Sequence, residues 1–142
     1  MNRLQMVLGS AFLTVLAACE TTQYGTPPPA STALAQELEA LGLPNARQVG
    51  FNLARPPHDS YREDYQERMA EFEKQKALLI QAVKNDPQAV LELSDAIDEA
   101  RERYNGSRDL DVKAAASKEM SELKAQVAVI AGSEGPKPMP QP

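Results

Sequence analysis

Few side chains in this chain can do covalent or metal chemistry. There is one cysteine, Cys19, and one histidine, His58. An ionised thiol is a strong nucleophile and a good acceptor of acyl and alkyl groups. Cys19 stands directly after Leu16-Ala17-Ala18, at the end of an apolar run. His58 follows Pro56-Pro57 and precedes Asp59, Ser60 and Glu63. Imidazole, carboxylate and hydroxyl together suit a metal site or an activated serine. A single imidazole excludes a two-His metal site within one chain, and residues adjacent on one stretch rarely converge as a triad requires. There is no Gly-rich phosphate loop and no G-x-S-x-G, the patterns that position a phosphate or a serine nucleophile. The sequence reads as a non-enzyme, with no catalytic residue and no metal.

The environment of Cys19 gives its chemistry a direction. Met1-Asn2-Arg3 supplies positive charge, residues 4 to 18 are mostly apolar, and the run narrows to small side chains before the cysteine. That is the layout of an export signal. The apolar run is too short for a bilayer span, which needs roughly 20 residues. Leu16-Ala17-Ala18-Cys19 resembles the lipobox of bacterial lipoproteins. The resemblance implies a diacylglyceryl group on the Cys19 thiol, cleavage between Ala18 and Cys19, and acylation of the new amine. Those acyl chains are the only covalent additions expected, and no cofactor is. Two or more chains anchor stably where one binds marginally. In enterobacterial lipoproteins an Asp after the Cys favours retention at the inner membrane. Glu20 in that position implies transfer to the outer membrane, facing the periplasm.

Composition limits the chain beyond the anchor. Removing residues 1 to 18 leaves 124 residues with 14 basic and 20 acidic side chains, a formal net charge of −6. An acidic chain without a Lys/Arg cluster argues against nucleic acid and against electrostatic docking on anionic lipid. With Cys19 consumed, no disulfide forms within the chain. Aromatics are few and Trp is absent. The core must come from Leu, Ile, Val, Ala and Met, which favours helices.

The elements that would position any site are helical. The boundaries read as signal peptide 1–18, lipidated Cys and Pro-rich tether 19–30, helical domain 31–132 and Pro-rich tail 133–142. Pro27-Pro28-Pro29 favours an extended tether. A short helix over 32–41 is read from Leu34, Leu38 and Leu41, capped by Ser31 or Thr32 and ended by Gly42 and Pro44. Residues 60–84 read as a long helix opened by a Ser60/Glu63 capping box. Its stripe is Tyr65, Met69, Phe72, Leu79 and Val83, with an Asp64–Arg68 ion pair. Asp86 and Pro87 open a helix over 87–104 with Val90, Leu93, Ile97, Ala100 and Tyr104 on one face. Asp109 and Gly132 bound a helix over 110–131 with Ala116, Met120, Leu123, Val127 and Ile130. The fold class expected is all-α: an elongated antiparallel three-helix bundle with a short N-terminal helix, after the signal peptide and tether.

Two stretches bear on function. Residues 82–97 look like the junction between tetratricopeptide repeats, but no second copy recurs near a period of 34. The stretch is therefore read as an ordinary helix–Pro–helix turn. Residues 42–59 show no helical period. Val49, Phe51 and Leu53 alternate with Gly50 and Asn52, which suits one short extended segment. Phe51 flanked by Arg47 and Arg55 is then a candidate partner-binding tip. Alternatively the three apolar residues lie along the helices and cap the core. The acidic residues Asp95, Asp98, Glu99 and Glu102 read as a solvated face. The tail lacks a C-terminal Lys, by which the major small lipoprotein of enteric bacteria is joined to peptidoglycan. The expected role is a structural or protein-interaction module of the cell envelope. Its partners are the membrane, through the lipid, and an envelope protein or further copies of the chain. The alternative is an oligomeric carrier or chaperone for an apolar ligand or an unfolded outer-membrane protein.

Overall fold

The computed structural model describes residues 29–133. The stretch read as a signal peptide, Cys19 and most of the stretch read as a tether lie outside the described residues, as does the tail from residue 134. Five helices come in order: α1 Ala30–Ala40, α2 Ala46–Leu53, α3 Tyr65–Asn85, α4 Pro87–Gly106 and α5 Leu110–Ala131. Among the described residues there is no strand, and no helix is long and apolar enough to cross a membrane.

α1 starts at Ala30, two residues earlier than the sequence spacing predicts. Pro29 supplies the extended residue and its carbonyl accepts from Thr32 and Ala33. Ser31 and Thr32 fall inside the first turn and cap nothing. The helix ends in a Schellman motif: Gly42, at φ 85°, donates to the Glu39 carbonyl at 2.9 Å and Leu43 donates to Leu38 at 3.1 Å. Only a residue without a Cβ adopts that left-handed φ freely. Leu34 and Leu38 are buried as expected, whereas Leu41 is exposed.

The expected extended segment over Val49, Phe51 and Leu53 is corrected to a helix. α2 buries Ala46, Val49, Gly50, Asn52 and Leu53, a spacing of 3, 1, 2 and 1 that belongs to one helical face. Val49 and Leu53 do join the core, but Phe51 points outward. Gly50 is the point of close approach to α1. A Cβ there would lie 3.4 Å from a Leu34 methyl, so it brings the two short helices together. Asn45, at φ 54°, turns the chain into α2, a conformation that Asn tolerates better than most residues.

α3 begins five residues later than expected. Residues 60–64 form turns closed by Asp59 and Arg62 carbonyls, so the Ser60/Glu63 capping box does not arise. The expected Asp64–Arg68 ion pair is also replaced. Arg62, nearer across the turn, takes Asp64 at 3.1 Å. Lys76, which interrupts the α3 stripe, reaches Glu37 of α1 at 3.5 Å.

The starts of α4 and α5 and the end of α5 agree with the sequence, whereas α4 runs to Gly106, two residues beyond its expected end. The Asp86 side chain accepts from Ala89 at the start of α4, with Pro87 in the first turn. The Asp109 side chain accepts from Asp111 at the start of α5, and Gly132 ends it. Tyr104 is exposed rather than part of the α4 seam; Lys113 lies over its ring and donates to its carbonyl. α4 and α5 form the most extensive helix pair, α3 packs on α5, and α2 bridges α1 to α4. One cluster runs through all five helices, with Leu34, Leu38, Val49, Phe72, Leu79, Val90, Ile97 and Val127 at its centre.

Candidate functional site

α2 has two unlike edges, and the site grows from the difference. Its inner edge holds Asn52, 1% exposed. The Asn52 amide nitrogen donates to the Ser94 hydroxyl at 2.9 Å, the Ser94 carbonyl at 3.2 Å and Asp98 at 3.0 Å. Its amide oxygen accepts from Arg101 at 2.7 Å and from Gln48 at 3.3 Å. Gln48 and Arg101 both reach Asp98 as well, at 2.9 and 3.1 Å. Each donor and acceptor of a buried amide must find a partner, and here the partners come from two helices. The network therefore fixes α2 on α4 in one position.

The outer edge holds the residues singled out from the sequence. Phe51 is 46% exposed. The Arg55 guanidinium stacks 3.7 Å from the Phe51 ring centroid, and Arg101 lies 5.2 Å from it on the network side. Arg55 also donates to the Phe51 carbonyl at 3.4 Å. Two cations over one ring hold it upright. Arg47 is exposed one turn earlier and lines the same groove as Phe51 and Arg55. The structure thus brings the three proposed recognition residues together, Arg47 and Phe51 on α2 and Arg55 just after its end, instead of on a loop tip.

Two open clefts flank this edge, separated by the segment 54–58. One, of about 560 Å³, is bounded by Arg47, Phe51, Tyr65 and Met69 and by the start of α1. The other, of about 650 Å³, is bounded by Arg55, Arg68, Arg101 and Lys124, with Phe72 and Met120 between them. Arg55 has its pKa lowered by desolvation and then by the charge of Arg101. Lys124 is lowered by desolvation and then by Arg55 and Arg101. Like charges gathered at a partly desolvated surface disfavour their own protonated forms. Arg68, which sequence spacing paired with Asp64, faces this cleft instead.

Compared with known protein families, curated proteins and solved structures, the chain matches none. The chemistry of its site rests on its own residues.

His58, Asp59 and Glu63 do not assemble a metal site: among the described residues no group of three potential ligands gathers. His58 and Asp59 border the larger cleft. Asp95, Glu99 and Glu102 are exposed, as a solvated face requires, whereas Asp98 departs from that reading: it is partly buried and accepts three hydrogen bonds. Asn52, Ser94 and Asp98 carried no periodic signal. Arg101 and Lys124 lie 46 and 69 residues from Arg55 in sequence, so only the fold joins them. Cys19 lies outside the described residues.

Proposed function

We propose that the chain is a lipid-anchored, periplasm-facing lipoprotein that serves as a structural or protein-interaction module of the bacterial cell envelope. The lipobox-like Leu16-Ala17-Ala18-Cys19 supports the anchor. The observation that carries the interaction role is Phe51, half-exposed beside the Arg55 and Arg101 guanidiniums at the rim of the smaller cleft. Aromatic and Arg side chains dominate the energetics of protein interfaces: aromatic rings bury large area with few rotatable bonds, and the planar guanidinium offers several donors and a stacking face. An aromatic ring fixed outward by a buried network is already in its binding conformation, which lowers the entropy lost on association.

In this reading the three long helices act as an antiparallel bundle that carries α1 and α2 on one side. The one-residue link at Asp86 and the short link at 107–109 suit up-and-down connection. A carrier for an apolar ligand is the second reading. The smaller cleft, with Phe51, Tyr65 and Met69 around it, favours it.

In-cell photocrosslinking from a reactive residue placed at Arg47 tests the interaction reading. The expected result is a discrete adduct with an envelope protein, lost in F51A and weakened in R55Q, while circular dichroism of both variants matches wild type. An adduct pattern unchanged in both variants refutes the recognition role. Apolar ligand carried through purification, with no protein adduct, selects the carrier.

A further inference from the structure

The larger cleft concentrates positive charge on an acidic protein. Arg55, Arg68, Arg101 and Lys124 border it, on a chain of formal net charge −5. Arg101 is satisfied by Asp98 and Asn52. Arg55 donates only to a neighbouring carbonyl, at 3.4 Å. Among the described residues, no carboxylate forms an ion pair with Arg55 or Lys124. Cations from α3, α4, α5 and the chain after α2 therefore converge on one volume, and among the described residues Arg55, Arg68 and Lys124 form no ion pair.

We infer that this cleft binds the carboxylate of an acidic peptide segment, with Arg55 and Lys124 as its direct partners. The chemistry of the lining selects the ligand. Arg presents a planar fork that matches a carboxylate. Asp59 and Glu71 also border the cleft, and they oppose two charges concentrated on one group, as in phosphate, more strongly than carboxylates spaced along a chain. Phe72 and Met120 give the cleft an apolar wall against which the stem of a Glu or Asp packs. A volume of about 650 Å³ lies within the range of ligand sites, roughly 300–1,000 Å³, and exceeds what one free carboxylate fills. Desolvation is the first cause of the lowered Arg55 and Lys124 pKa values; the smaller part, mutual repulsion with Arg101, is offset when an anion enters. This inference rests on reading the α2 edge as the recognition surface, and it names what that surface takes.

The test is a titration of the full-length chain in nonionic detergent, followed through the arginine Nε–H resonances. The probes are sodium glutarate, a tetraglutamate peptide and a tetraserine control, with ionic strength held constant by chloride. Tetraglutamate is expected to give saturable shifts at Arg55 and Arg101, at lower concentration than glutarate. K124M and R55M are each expected to weaken it about tenfold, the scale of one charge-assisted hydrogen bond. K124R restores binding, and thermal melts confirm that the variants fold. Shifts that do not saturate beyond the chloride and tetraserine controls, or equal affinity in wild type and K124M, overturn the site. Equal affinity for glutarate and the peptide overturns the peptide assignment. Crosslinking in cells reads the partner and titration reads the cleft, so the two proposals fail separately.

Discussion

Asn52→Ala is the perturbation that most directly probes how the fold holds its site. The substitution removes five polar contacts from one buried position: Gln48, the Ser94 hydroxyl and carbonyl, Asp98 and Arg101. A typical hydrogen bond contributes about 1 kcal/mol net, and a buried group left unsatisfied costs about 1–3 kcal/mol. Asp98 and Arg101 are partly exposed, and water re-solvates them, so their share sits at the low end. Ser94 is buried and loses its side-chain partner outright. The expected destabilisation is about 3 kcal/mol. Unfolding entropy of about 2.1 cal/mol/K per residue, over roughly 105 residues, gives about 0.2 kcal/mol/K, and hence a drop in Tm of about 14 °C. Thermal and urea melts followed by circular dichroism measure it. A double-mutant cycle with S94A isolates the pair, which should couple by more than about 0.5 kcal/mol. A Tm drop under about 4 °C, or strict additivity with S94A, would show that the network does not hold α2 on α4. The Phe51 side chain would then lack its support from beneath.

Other residues give further expected outcomes. Asn85→Ala removes donors to the carbonyls of Ile130, Ala131 and Ser133; it should cost about 1–2 kcal/mol and speed hydrogen exchange of the Gly132 and Ser133 amides, with α4 unaffected. Lys124 carries a pKa below its ordinary 10.5. A lysine lowered in the folded state opposes folding while it is protonated, and that penalty fades as pH rises through the folded pKa towards 10.5. K124M should therefore have a higher Tm than wild type near pH 7, and the gap should narrow towards about pH 11 in parallel melts. Cys19→Ser should leave the helical domain folded while blocking lipid labelling and maturation; outer-membrane recovery of that variant at wild-type levels would remove the lipoprotein reading.

Helix boundaries with local chemistry were legible in the sequence. Asp86-Pro87, Asp109 and Gly132 act within a few residues of themselves, so spacing alone locates them. The seams of α4 and α5 were legible for the same reason, except at Tyr104. α2 was not, because Val-Gly-Phe-Asn-Leu fits both a two-residue and a helical period over so short a run. Gly50 reads in sequence as an alternating position of an extended segment, and its role depends on Leu34 across an interface. The α3 start was misplaced because a capping-box pattern is satisfied by many turns that never become helical. Phe51 and Arg55 stood out as an aromatic and a cation in a stretch without a clear period. Arg101 and Lys124 did not, since on their own helices they resemble any other surface cation. The buried role of Asn52 had one faint signal: an amide set among Val49, Gly50 and Leu53 needs a partner from elsewhere.

Asn85 has a wider consequence than a cap. It is the last residue of α3, it precedes the residue that opens α4, and its amide reaches the last carbonyls of α5. Three helix termini therefore share one pole of the domain. Two of them, the C-termini of α3 and α5, carry partial negative charge, and the N-terminus of α4 carries partial positive charge. A neutral amide meets the α5 carbonyls, and the Asp86 carboxylate accepts from the Ala89 amide in the first turn of α4. The peptide dipoles close on one another here within about one turn, at a buried residue largely hidden from bulk ions. This end of the domain should stay joined at salt concentrations that weaken the Arg- and Lys-lined cleft.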